Sequence, residues 1–87
     1  MRFTVTWQRV AEDKLAALWT GAEDRQAIAD AVDQIDRMLR FEGDRVGRDF
    51  LEYHFLAAGP LAVIFTRSLD DRLIDVIDIL ITSRRRA

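Results

Sequence analysis

FLEYHFLAAGPLAVIFTRSLDDRLIDVIDILI, residues 50–81, is the stretch that decides the fold. It reads as three short β-strands in succession: Phe50–Ala57, Leu61–Arg67 and Leu73–Ile81. Turn clusters at Ala58-Gly59-Pro60 and Leu69-Asp70-Asp71-Arg72 separate runs rich in Val, Ile and Phe, which is the strand-and-turn pattern. In the first strand Leu51, Tyr53 and Phe55 share one face, and Glu52 and His54 share the other. The second strand is apolar on both faces, which places it centrally in a sheet. The third is interrupted by Asp75 and Asp78, whose spacing of three puts them on opposite sides of a regular strand and forbids a carboxylate pair. A triple arginine, Arg84, Arg85 and Arg86, follows this meander and offers a positive cluster at one end of the sheet.

Working back towards the N-terminus, Arg2-Phe3-Thr4-Val5-Thr6-Trp7 alternates strictly and predicts a half-buried strand with Phe3, Val5 and Trp7 inward. From Arg9 the period changes. Ala11, Leu15, Leu18 and Trp19 recur at helical spacing, with Glu12 and Asp13 in the first turn and Gly21 as the stop. A second helix follows, capped by Asp24 and ended by Gly43. Its apolar stripe runs through Ala27, Ile28, Ala31, Val32, Ile35, Met38 and Leu39. Asp33 with Arg37 and Asp36 with Arg40 are acid-then-base pairs one turn apart. Glu42–Asp49 reads as a surface loop. The order is β-α-α-β-β-β, an α+β domain in which a two-helix hairpin covers one face of a four-stranded antiparallel sheet.

Eighty-seven residues with 49% hydrophobic and 32% charged content make one globular domain, residues 1–87. No apolar run reaches the roughly 20 residues of a membrane span, and no apolar leader follows Met1, so a cytoplasmic protein is expected. Cysteine is absent, which removes disulfides and thiolate metal sites. The net charge of −2 argues against a general nucleic-acid coat. Yet three of the seven basic residues beyond position 41 sit at 84–86, so a local anion site is open.

His54, the single histidine, is the natural acid–base candidate, with Glu52 beside it; the alternative is an exposed polar pair. Arg84 and Arg85 would grip phosphate bidentately, and Arg67 and Arg86 are further anion or RNA contacts. Against this stand a solvated terminus for the triplet and pairing with Asp70 or Asp71 for Arg67. No metal-ligand spacing, cofactor loop or nucleophile signature is present, and Asp30, Asp33 and Asp36 fit the polar face of an amphipathic helix. Trp7 and Trp19 fit packing better than base stacking.

The first strand, the helical hairpin with Asp24-Arg25-Gln26-Ala27-Ile28, and the meander with Pro60-Leu61-Ala62-Val63-Ile64-Phe65 together resemble the RelE/ParE toxin superfamily, in particular its compact plasmid-stabilisation-type members. The resemblance implies a growth-inhibiting toxin of a type II toxin–antitoxin system. Its target would be translation, through ribosome-dependent mRNA cleavage, or gyrase. The alternative is a catalytically silent relative acting as a binding module. Cleavage in the family needs no metal or cofactor: cations offset charge while the RNA 2′-hydroxyl attacks phosphate. The family's basic second-strand places fall on Glu52 and His54, its third-strand arginine on Leu61, and its terminal arginine on Arg84 or Arg85; no tyrosine follows. The implied partner is an antitoxin whose disordered segment folds along an apolar groove; the alternative is a homodimer.

Overall fold

The structure, a computed structural model, describes residues 2–82. The terminal arginines Arg84, Arg85 and Arg86 lie outside the described residues. The elements run β1 (Thr4–Trp7), α1 (Arg9–Gly21), α2 (Arg25–Glu42), β2 (Arg48–Phe50), β3 (Tyr53–Ala58), β4 (Leu61–Ser68) and β5 (Leu73–Ile81). One mixed sheet is formed, in the order β1-β5-β4-β3-β2.

The α+β class and the helical hairpin agree with the sequence reading. Two features of the sheet do not. It has five strands, because the end of the stretch 42–49, expected as a surface loop, joins Phe50 in an additional strand, β2, that pairs back on β3. Phe50 pairs with Tyr53, so Leu51 and Glu52 form a two-residue turn. Leu51 takes a φ of 58° and is 88% exposed. Such turns ordinarily advertise themselves with Gly, Asn or Asp; Leu-Glu carries no such signal.

The second difference is direction. β1 pairs with β5 in parallel, Thr4 opposite Leu73 and Trp7 opposite Val76. The hairpin returns the chain to the end of the sheet where β1 began, for the Phe3 N–H donates to the Arg40 carbonyl near the end of α2 (2.7 Å). From there β3, β4 and β5 alternate in direction, and the last runs the same way as β1.

One face of this sheet makes the core with the helices. Phe65, Val63 and Leu61 of β4, Ile74 and Val76 of β5, and Ile35 and Leu39 of α2 are fully or almost fully buried together. Burying side chains of this size contributes roughly 1.5–3 kcal/mol each relative to exposure. The helix ends follow the sequence: Asp24 accepts from the Ala27 N–H (3.0 Å) as the cap of α2. Gly43 follows α2 for want of space. A Cβ there would lie 2.5 Å from the Leu39 carbonyl oxygen and 3.1 Å from Phe3 and Ile74. Gly47, at a φ of +90°, brings the next loop down onto Phe65.

Candidate functional site

The face on which His54 lies is the reverse of the expected one. His54 pairs with Phe65, and Leu56 with Val63, so its side chain shares the core face with Leu56 and Ala58. Tyr53 and Phe55 take the parity of the face without helices. The strand is apolar on both sides, which is why alternation alone chose wrongly. The imidazole is about one-fifth exposed, and its ring centroid is 5.4 Å from that of Phe65 at a 31° tilt. Nδ1 stands 3.4 Å from Asp49 Oδ1. The acidic neighbour of His54 is thus Asp49 across the β2–β3 hairpin, and Glu52 sits in the turn.

Arg67 also lies on the core face, two residues from Phe65. Its Nη1 donates to the Gly43 carbonyl (2.7 Å), immediately past α2. Neither Asp70 nor Asp71 is its partner; Asp71 takes its amide and carboxylate to the Ser68 hydroxyl, both at 3.3 Å. The guanidinium therefore ties the C-terminal end of α2 to β4, where a cation also complements the helix dipole. His54 and Arg67 are brought to the same corner of the sheet, below the 43–47 loop, and each is engaged by the protein itself.

The two aspartates of β5 illustrate a further departure. A bulge opposite Ile64 and Phe65 shifts the register, so Asp75 opposes Thr66 and Asp78 opposes Ile64, residues of one parity. Spacing alone therefore does not separate them; their partners do. Asp75 accepts from the Thr6 hydroxyl (3.0 Å) and the Gln8 amide (2.9 Å). Asp78 meets Lys14 Nζ of α1 at 2.8 Å. The hydrogen bond from Lys14 holds the Asp78 carboxyl below its ordinary value, against a smaller opposing effect of burial, with help from the Ile79 N–H. Among the described residues no group of His, Asp and Glu is arranged to hold a metal ion, and no helix is long and apolar enough to cross a membrane.

A second feature lies at a position that the sequence reading did not give. α1 and α2 leave between them an open groove with Leu15, Ala16, Ile28, Ala29 and Val32 along it and Trp7 and Trp19 in its walls. Glu12, Asp33 and Asp36 supply its charged lining. Trp19 is 43% exposed, where packing had been expected. The sequence did hold a signal: Leu15-Ala16-Ala17-Leu18-Trp19 is apolar on more of α1 than a single core stripe requires.

No family model and no curated protein matches this sequence. Solved structures do match its fold. A chain of the RelBE2 toxin–antitoxin complex from Mycobacterium tuberculosis superposes with a TM-score of 0.78 at 15% identity, covering 93% of this chain and 99% of that one. A chain of the chromosomal ParDE toxin–antitoxin system from P. aeruginosa gives 0.72 at 17% identity, covering 94% and 98%. The intact RelBE toxin–antitoxin complex of E. coli gives 0.52 at 14%, covering 97% and 100%. The chain has a RelE/ParE-like fold over nearly its whole length.

Proposed function

We propose that this chain is the growth-inhibiting toxin of a toxin–antitoxin pair, held by a partner protein, and that it arrests growth by binding its target without cutting RNA. The observation that carries the reading is the whole-length likeness to chains of three toxin–antitoxin complexes.

The preference against cleavage comes from the site. Stabilising a phosphate transition state requires cations aimed at the developing charge. His54 lies on the helix-covered face against Phe65, with Asp49 as its neighbour. Arg67 is committed to the Gly43 carbonyl. Of the cleavage set only Arg84 and Arg85 are then free of a contrary observation. Gyrase, the family's other target, does not call on these residues.

Inducible expression in a bacterium tests the proposal. Arrest with intact mRNA is expected, relieved by co-expression of the partner. Unchanged growth would identify a silent binding module instead. Arrest with mRNA fragmentation would restore the nuclease reading, and a loss of about 10²–10³ in rate on His54→Ala or on Arg84→Ala with Arg85→Ala would then name the groups responsible.

A further inference from the structure

We infer that the end of β5, from Ile77 to Ile81, is a strand edge through which two copies of this chain pair, and that Asp78, held by Lys14 of α1, keeps this edge shut in the monomer.

The edge comes from a difference in length between neighbours. β5 is paired along β4 as far as Ile81, whereas β1 stops at Trp7, opposite Val76. Beyond that point no strand lies outside β5 among the described residues, and α1 packs there instead. The direction of the main-chain groups follows from two hydrogen bonds. The Thr82 N–H donates to the Pro60 carbonyl at 2.9 Å, on the β4 side. Successive residues of a strand present their groups to opposite sides, so Ile81 and Ile79 turn theirs outward. The Ile79 N–H agrees with this, for it goes to the carboxylate of its own neighbour, Asp78 Oδ1, at 2.8 Å.

That bond is the latch. The same Oδ1 takes Lys14 Nζ at 2.8 Å, so α1 fixes the carboxylate over the N–H that an incoming strand would need. Placing a charge against an edge is one way in which sheets resist strand addition. α1 is itself lightly attached: Ala11 is the one residue of this helix buried outright, where α2 buries four.

The occupant is a second copy because the edge is complementary to itself. About a two-fold axis at Ile79, Ile79 meets Ile79, Asp78 meets Leu80, and Ile77 meets Ile81. No like charges oppose each other. Leu80 and Ile81, 37% and 54% exposed, gain apolar or aliphatic surface to lie against. One continuous sheet then runs through both copies, by the strand addition that open edges favour.

The test is sedimentation velocity on the full chain across a concentration series, with amide exchange read residue by residue by NMR. Asp78→Ala removes the latch and should tighten self-association about ten- to a hundredfold over the parent, the worth of one charged hydrogen bond no longer broken on pairing. Lys14→Met, at an exposed position, should act in the same direction by less, and carries the test if Asp78→Ala does not fold. At high concentration exchange of the Ile79 N–H should slow in both variants, while that of Leu80, on the β4 side, stays the same. Adding Ile81→Pro takes an outward N–H from the edge and none from the β4 ladder, and should return either variant to the monomer. Folded variants that associate no more than the parent, an Ile79 N–H indifferent to concentration, or a dimer that survives Ile81→Pro would each overturn the inference. Growth is not read in this experiment, so its failure is separate from failure of the toxin assignment.

Discussion

Replacing Arg67 by Met separates an anion-binding arginine from a helix-anchoring one. The side chain is partly buried and donates through Nη1 to the Gly43 carbonyl at 2.7 Å. A hydrogen bond from a charged group contributes about 1.5–3 kcal/mol, and a cation at a helix C-terminus adds roughly 0.3–1 kcal/mol. Methionine keeps much of the aliphatic stem and so returns part of the packing. A net loss of about 2 kcal/mol follows. In a domain of this size 1 kcal/mol moves the melting midpoint by roughly 4–8 °C, so a fall of about 8–16 °C is expected. Urea melts followed by circular dichroism give the free energy directly, with an unchanged m-value if the native state stays compact. Whatever activity the protein has should fall only as far as the folded fraction falls. A variant as stable as the parent that nonetheless loses growth inhibition would refute the reasoning and return Arg67 to the functional set.

Two other predictions concern the turn and the ion pair between α1 and β5. Leu51→Asn should stabilise the protein by about 1 kcal/mol, since a left-handed backbone costs a leucine roughly 1–2 kcal/mol and an exposed side chain loses nothing on removal; a drop in the thermal midpoint would show that Leu51 is held by a contact. Lys14→Met should cost less than about 1 kcal/mol at pH 7, as both partners are substantially exposed. The Asp78 carboxyl titrates below its ordinary 3.8 in the fold, so this contribution is present above that value and lost as pH falls through the lowered one. Urea melts of parent and variant should therefore converge as pH is lowered well below 3.8; an equal gap in acid and at pH 7 would assign the effect to packing of the lysine stem.

What was legible in the sequence followed from period and punctuation. The stripe of α2 and its Asp24 cap are written in single residues, and the structure repeats them almost to the residue. The alternation of β1 is equally plain, with Phe3, Val5 and Trp7 turned to the core. The meander was harder because β3 and β4 carry apolar residues on both faces, so period two is visible without saying which side is in. His54 was misplaced for that reason. The Leu51-Glu52 turn was missed because its sterically awkward residue is the opposite of a turn signal. Arg67 was read as an anion contact or a partner of Asp70 or Asp71 because its actual partner is a backbone carbonyl 24 positions away, and carbonyls leave no mark in a sequence. The groove is a property of two helices together, readable in α1 only as an apolar surplus.

The parallel pairing of β1 with β5 has a consequence for how the chain acquires its structure. Residues 4–7 find their neighbours at 73–76, so β1 stays unpaired until nearly the whole sequence is available. During synthesis, at about 5–20 residues per second, the helical hairpin precedes the strand that joins β1 to the rest of the sheet by several seconds. Contacts of such long range are slow to close, and a product truncated before residue 73 holds β1 and both helices with no β5 to organise them. Assembly of the sheet is thereby deferred to a late stage of translation. Pulse-labelled nascent chains should become protease-resistant only after β5 has cleared the ribosome.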